Sequence, residues 1–274
     1  DPTTRASALR MPGPTRHAGS MLELPAHHDG IHLSRDVVRL ERDPRVLNTA
    51  ANRGELTRIR QGAYVDAQRW AATGARRRHV MTMKAVALAA DNSPVFSHLS
   101  AAAVWGLPIL GAWPPEVHTL VASASGGRSG RGIRRHCVEL DLVRSTVLDN
   151  LRVTSVERTL IDLARTLSFA SAVMAFDHAL ATDRGRKSPM TTKSRILAEL
   201  EHVGWSRGRN RVLTVVAFAD GASGSPGESL SRVRIFELGF PAPCLQAEFV
   251  HHTGIRDFAD FDWPDYEHLG EFDG

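Results

Sequence analysis

The chain has 274 residues, 42% apolar and 23% charged, a balance that supports buried cores in more than one unit and excludes a disordered chain. It carries no apolar run long enough for a membrane-spanning helix. Its only cysteines, Cys137 and Cys244, stand far apart, which excludes a disulfide framework and a cysteine-rich zinc site and predicts two buried thiols. The net charge of +4 hides a split. From Glu228 onward ten acids face three arginines, a net −7, which leaves +11 on the first 227 residues. Lys84, Lys187 and Lys193 are the only lysines, so the positive charge is almost wholly guanidinium, the group suited to phosphate.

Residues 1–30, rich in Pro, Gly and His, read as a flexible lead-in with no apolar core of a secretory signal, and a cytoplasmic protein is expected. Ser34 is a candidate N-cap for a short helix over Arg35–Leu40, and "RDP" breaks it. A second helix, Arg45–Arg53, buries Val46, Leu47 and Ala50, presents Arg45, Asn48, Thr49 and Asn52, and ends at Gly54. The alternating runs "LTRIR" and "AYVD" joined by "QG" predict a hairpin.

Helix, turn, helix and basic hairpin is the order of a winged helix-turn-helix over residues 31–75. Arg45, Asn48, Thr49 and Asn52 are candidates for base edges, and Arg53, Arg58 and Arg60 for phosphates. The alternative is a small packing domain with a solvated polar face. The run Arg58 to Asp66, "RIRQGAYVD", resembles the pattern that ends the N-terminal module of AbiEi-type antitoxins of abortive-infection toxin–antitoxin systems. That resemblance implies double-stranded DNA as a partner, transcriptional regulation of the protein's own operon, and a cognate toxin.

A mixed α/β middle is expected over 76–220. "ARRRHVMTMKAVALAA" predicts a helix whose basic start, Arg76–Arg78, contacts phosphate or is merely solvated. "SPVFSHLSAAAVWGLPILG" predicts a helix closed by Gly106, with His98 as a capping or buried histidine, since no partner stands near it in sequence. "EVHTLVAS" and "GIRRHCVEL" predict strands around a loop carrying Arg128 and Arg131. "VTSVERTLIDLART" predicts a helix capped by Thr154 or Ser155, in which Arg158 and Asp162 form an i, i+4 surface ion pair. Both this segment and the Ser-Ala-rich one resemble AbiEi-type antitoxins, where they belong to a toxin-facing domain. Helices follow over "FASAVMAFDHALA", "TTKSRILAELEHV" and "GRNRVLTVVAFAD", with "RGRNR" extending the positive face.

"GASGSPGES" predicts a linker, and residues 225–274 a third unit: a helix with Glu228 in its first turn, then three strands. "SPGESLSRV", "ADFDWPD" and "GEFDG" resemble the Vsr-like branch of the PD-(D/E)xK nucleases. That resemblance implies a partial restriction-endonuclease-like fold with Asp260 and Glu271 as metal ligands and Glu228 and Asp273 in support, holding Mg²⁺ if active. Glu271 and Asp273, at i and i+2 of a strand, would share a face, as would Asp260 and Asp262. No lysine follows Lys193 and the segment stops at Gly274, so a truncated or inactive domain is expected. The overall expectation is an α/β (α+β) protein that binds DNA as a regulator, or alternatively a Mg²⁺-dependent endonuclease.

Overall fold

The computed structural model describes residues 26–27, 29–123, 129–130, 132–182, 188–204, 207–250 and 252–273. Residues 1–25 of the expected lead-in, together with Arg128 and Arg131, lie outside the described residues. The chain is a mixed α/β protein of the α+β kind, with three sheets among the described residues.

The head comprises β1 (His32–Leu33), α1 (Ser34–Arg39), α2 (Arg45–Asn52), β2 (Leu56–Arg60) and β3 (Ala63–Asp66). Its sheet has the order β1-β3-β2 with antiparallel pairing throughout. Ser34 does not cap α1. It is the first helical residue, and its backbone N–H donates to the Gly62 carbonyl, which fastens α1 to the hairpin turn. Side chains alternate across β3. Tyr64 packs with Val37 and Leu47 on the helical side, while Ala63 and Val65 meet Met81 and Ala85 of α4 (Ala75–Ala89) on the other.

A helix that periodicity did not suggest, α3 (Ala67–Ala72), lies between them, started by the Asp66 carboxylate accepting from Arg69 N–H. The expected boundary near residue 75 falls at the start of α4. That helix buries Met81 and Ala85 against the head and Met83 and Val86 against the next sheet, so it belongs to both cores.

The second sheet has the order β6-β5-β4-β8-β7, from β4 (Val95–Phe96), β5 (Val117–Ala122), β6 (Ile133–Val138), β7 (Ser145–Leu148) and β8 (Leu151–Thr154). The two long strands β5 and β6 run parallel, in register from Val117↔Ile133 to Ala122↔Val138. The β7–β8 hairpin turns on Asp149 and Asn150, both with positive φ, residue types that tolerate the left-handed region.

Against the sheet packs a helical core of α5 (His98–Trp105), α6 (Val156–Thr166), α7 (Phe169–Leu180), α8 (Lys193–His202), α9 (Arg209–Phe218) and α10 (Pro226–Glu237). Ser155, Ser168 and Thr192 cap α6, α7 and α8 by accepting from the third residue on.

The predicted linker is a docked joint. Asp177 accepts from Asp220 N–H at 2.7 Å and pairs with Arg232 at 2.8 Å, and Val233 of α10 enters the helical core. A side chain at Gly221 would sit 2.6 Å from the Leu180 carbonyl, so only glycine lets the chain pass α7 this closely. The last sheet, order β11-β10-β9, comprises β9 (Cys244–Val250), β10 (Arg256–Trp263) and β11 (His268–Gly270), all antiparallel.

Three expectations fail on burial. Val46 is 43% exposed, because it lies on the outer side of α2 away from Leu47 and Ala50. Cys137 and Cys244 are both exposed free thiols, because β6 and β9 each turn that position outward. The Arg158–Asp162 pair is not on a surface: the two side chains are 2% and 0% exposed.

Candidate functional site

In the head, Arg45, Asn48, Thr49, Asn52, Arg53 and Arg58 are all exposed. Leu47 and Ala50 anchor the opposite side of α2 in the core, so the helical period turns the polar positions outward. Asn48 is engaged. Its side-chain carbonyl accepts from Tyr64 O–H at 2.6 Å, bracing α2 against β3. Arg60 departs from its expected role as well. A register shift between Arg58 and Arg60 turns it inward, where it is half-buried and donates to the Ala85 carbonyl of α4.

The basic start of α4 is also structural. Arg76 donates to the Ala103 carbonyl near the end of α5, and Arg78 donates to the Trp70 and Ala71 carbonyls at the end of α3 and lies over the Trp70 ring. Guanidiniums that fit poorly at one helix start are placed at the C-terminal ends of two others.

The middle unit holds the largest constellation, and it is one that motif spacing did not reveal. His98 at the start of α5, His118 on β5 and His136 on β6 converge, with candidate ligand atoms all within 4.8 Å of one another. His98 and His136 stack at 3.7 Å between centroids and 13° between planes, and His136 Nε2 lies 3.1 Å from His118 Nδ1. Parallel stacked rings point their lone pairs alongside each other, whereas metal ligation at about 2.1 Å needs them to converge. The contact between His136 and His118 takes one N–H and one lone pair. The three rings form one compact cluster, with His98 and His136 stacked and His136 within hydrogen-bond distance of His118.

His98 and His136 floor a cavity of about 960 Å³ shared by Arg135, Arg158, Asp162, Arg165, Arg207 and Arg211, with Glu139 at its rim. Burial above all, then the neighbouring cations, depresses the histidines. His98 is held well below its usual value by burial, His136 and Arg158, and His118 is lowered to about 3 by burial and the other two rings. Burial likewise lowers His136, with Asp162 opposing. Asp162 is pushed up by its complete burial and pulled back by Arg158, whose Nε lies 3.2 Å away. Its Oδ2 stands 3.6 Å from His98 Nδ1 and has no hydrogen-bond partner.

Arg165 donates from Nε to the Arg207 carbonyl and packs on Gly208, where φ is +79° and a Cβ would lie 3.2 Å from Arg165 Nε. Arg211 donates to the Leu167 carbonyl, closing the wall between α6 and α9.

In the C-terminal unit, Glu228 and Asp260 come together as the motifs imply, but through an amide. Gln246 donates from Nε2 to Asp260 Oδ1 at 2.9 Å and to Glu228 Oε2 at 3.1 Å. Gly224 N–H donates to Glu228 and Phe272 N–H to the other Asp260 oxygen. Carboxylate oxygens suit Mg²⁺ in kind; here Glu228 Oε2 and the two Asp260 oxygens accept from protein donors, and each carboxylate keeps further acceptor capacity.

Glu271 and Asp273 follow β11 rather than lying in it, so they do not share a strand face, and both are exposed. Asp262 lies on β10 two residues after Asp260 and is partly buried. Glu228 also serves α10 locally: Ser225 Oγ accepts from its N–H, and its carboxylate reaches back to Gly224.

No family model matches the chain. Two uncharacterized proteins of Mycobacterium tuberculosis, MT2308 of strain CDC 1551 / Oshkosh and Rv2248 of strain ATCC 25618 / H37Rv, are each 31% identical to it over 119 residues. The match takes in 42% of this chain and 40% of each relative, so it spans well under half of their length. Among solved structures, the crystal structure of the RV2827C protein from Mycobacterium tuberculosis is similar over 83% of this chain and 84% of that chain, at 14% identity and a TM-score of 0.44. None of the three carries a stated activity in its name. No helix among the described residues is long and apolar enough to cross a membrane.

Proposed function

We propose that the chain is a DNA-binding regulator of the AbiEi-antitoxin-like type, reading duplex DNA with its head. The observation that carries this reading is the outward side of α2, on which Arg45, Thr49, Asn52 and Arg53 are exposed beside Arg58 of β2. Polar side chains on a helix that fits a major groove, flanked by guanidiniums for the backbone, are the means of base and phosphate recognition. Asn48 and Arg60 leave the contact set. Their roles are to brace α2 on β3 and the hairpin on α4. Sequestration of a cognate toxin by the middle unit rests on the resemblance of "SHLSAAAVWGL" and "ERTLIDLA".

A second reading, a Mg²⁺-dependent endonuclease, is favoured by one observation, the meeting of Glu228 and Asp260 at Gln246. The place of Glu271, exposed and beyond the end of β11 rather than within a strand, supports a silent remnant over an active centre.

Labelled duplex DNA incubated with the chain and Mg²⁺ or Mn²⁺, beside Arg58→Ala and Asp260→Ala, separates the two. The regulator reading expects retardation without cuts, weakened by Arg58→Ala for every sequence alike and with a salt slope flatter by about one. Metal-dependent cuts that vanish in Asp260→Ala would establish the nuclease instead. An Arg58→Ala loss confined to one operator sequence would contradict the phosphate role.

A further inference from the structure

We infer that the cavity between β6, α6 and α9 is a binding site for a phosphate-bearing ligand, built from residues separate from those of the head. Arg135 on β6, Arg158 and Arg165 on α6, and Arg207 and Arg211 at the start of α9 surround one space of about 960 Å³. Five guanidiniums there face two acids. One of these, Asp162, is wholly buried against Arg158, and the other, Glu139, is exposed at the rim.

Like charges gathered from three elements repel one another, and the fold retains them at a cost that an anion repays. Guanidinium is also the side chain whose fork geometry matches phosphate oxygens.

Two helices begin at this cavity, α5 with His98 and α9 after Gly208. Neither start has a capping side chain or an acid in its first turn, so their backbone donors add to the positive field. Of the basic residues at the α9 start, Arg209 pairs with Glu201 and Arg211 donates to the Leu167 carbonyl, while Arg207 is exposed at the cavity.

The floor supplies the polar contacts that make the site more than a charged patch. His98 is 7% exposed, and its ring stacks on His136, both lining the cavity. The arginines come from β6, α6 and the start of α9 around one concavity, where a flat charged surface would leave them spread apart. The volume admits a nucleotide-sized ligand or the phosphates of a nucleic-acid strand, and both carry the same recognisable group.

The test is calorimetric titration of the full chain with inorganic pyrophosphate, beside Arg135→Gln, Arg207→Gln and Arg58→Ala. Arg135 and Arg207 are exposed, so their substitution leaves the core intact.

The expected result is saturable binding tighter than about 1 mM that weakens as salt rises. Each cavity variant should weaken it by about tenfold, and Arg58→Ala should leave it unchanged. Absence of saturable binding, or binding indifferent to both cavity variants, overturns the site. Adding duplex DNA to the pyrophosphate-loaded chain then tells the source: displacement assigns the site to a nucleic-acid backbone, and simultaneous binding assigns it to a free phosphate ligand. A chain that binds pyrophosphate but fails to retard DNA keeps this inference while removing the regulator reading.

Discussion

The head and the middle unit both concentrate arginine, and they use it in opposite ways. On α2 and β2, Arg45, Arg53 and Arg58 stand in water, carried by a helix whose other side is apolar, so they are free to meet a partner without rearranging the core. Around the cavity, Arg158 is as buried as the leucines beside it, Arg165 is clamped to the Arg207 carbonyl, and Arg211 to the Leu167 carbonyl. The first group is adaptable and energetically nearly silent in folding. The second is pre-organised and part of the packing. Charge count alone cannot separate a surface that docks from a cavity that is built, whereas burial and hydrogen-bond geometry do.

The sharpest break in that comparison is Arg158→Ala. It strands the fully buried Asp162 carboxylate, and loss of one partner of a buried pair costs about 3–5 kcal/mol, while Arg53→Ala on the head should stay within about 0.5 kcal/mol. Urea unfolding midpoints of the two variants measure the contrast. Similar midpoints would mean that Arg158 is solvated like its counterparts on the head.

Acid should act next, and on the middle unit first. Burial keeps the folded His98, His118 and His136 below their usual value, so the unfolded chain binds more protons once pH falls under about 6.5. Stability therefore drops as pH descends from about 6.5 toward the folded value of about 3 for His118, by up to about 1.4 kcal/mol per pH unit for each histidine kept neutral. Asp177 works the other way. Burial raises it to about 6, so below that pH its native form takes up a proton that the unfolded carboxylate does not, offsetting part of the loss. Comparing melting temperatures of the chain and of His118→Asn across this range isolates the histidine contribution. A slope that the substitution leaves unchanged would place the acid sensitivity elsewhere.

The smallest effect belongs to the head. Tyr64→Phe removes the 2.6 Å bond to Asn48 and should cost about 1 kcal/mol of stability while loosening α2. DNA affinity that survives Tyr64→Phe and falls with Asn52→Ala would confirm that Asn48 braces and Asn52 reads. Equal losses would restore Asn48 to the contact set.

Much of the fold was legible along the chain because local rules govern it. The period of Leu47 and Ala50, the "QG" turn, Gly54 and Gly106 at helix ends, and Ser155 as a cap act within a few residues of sequence. The order of elements in the head follows from them, whereas the meeting of Glu228 with the Asp260 strand was implied only by the resemblance of their motifs.

What sequence could not supply is anything decided by which strands lie side by side. His98, His118 and His136 are separated by about twenty residues each and carry no metal or catalytic spacing. They meet because β4 lies beside β5, and β5 runs parallel to β6 in a register that sets His118 and His136 within hydrogen-bond reach. The same arrangement buries the "ERTLID" pair that spacing alone reads as a surface bridge, since an i, i+4 pattern fixes only that two side chains share a helix face. It also turns Arg60 inward at a bulge, and gives Asp260 a donor from Gln246 on a neighbouring strand. The order of helical and strand patterns along the chain determined that this protein would be mixed α/β, and its composition that it would be rich in guanidinium. Only tertiary packing, by fixing what each arginine and histidine is buried against, decided which of them are structure and which form a site.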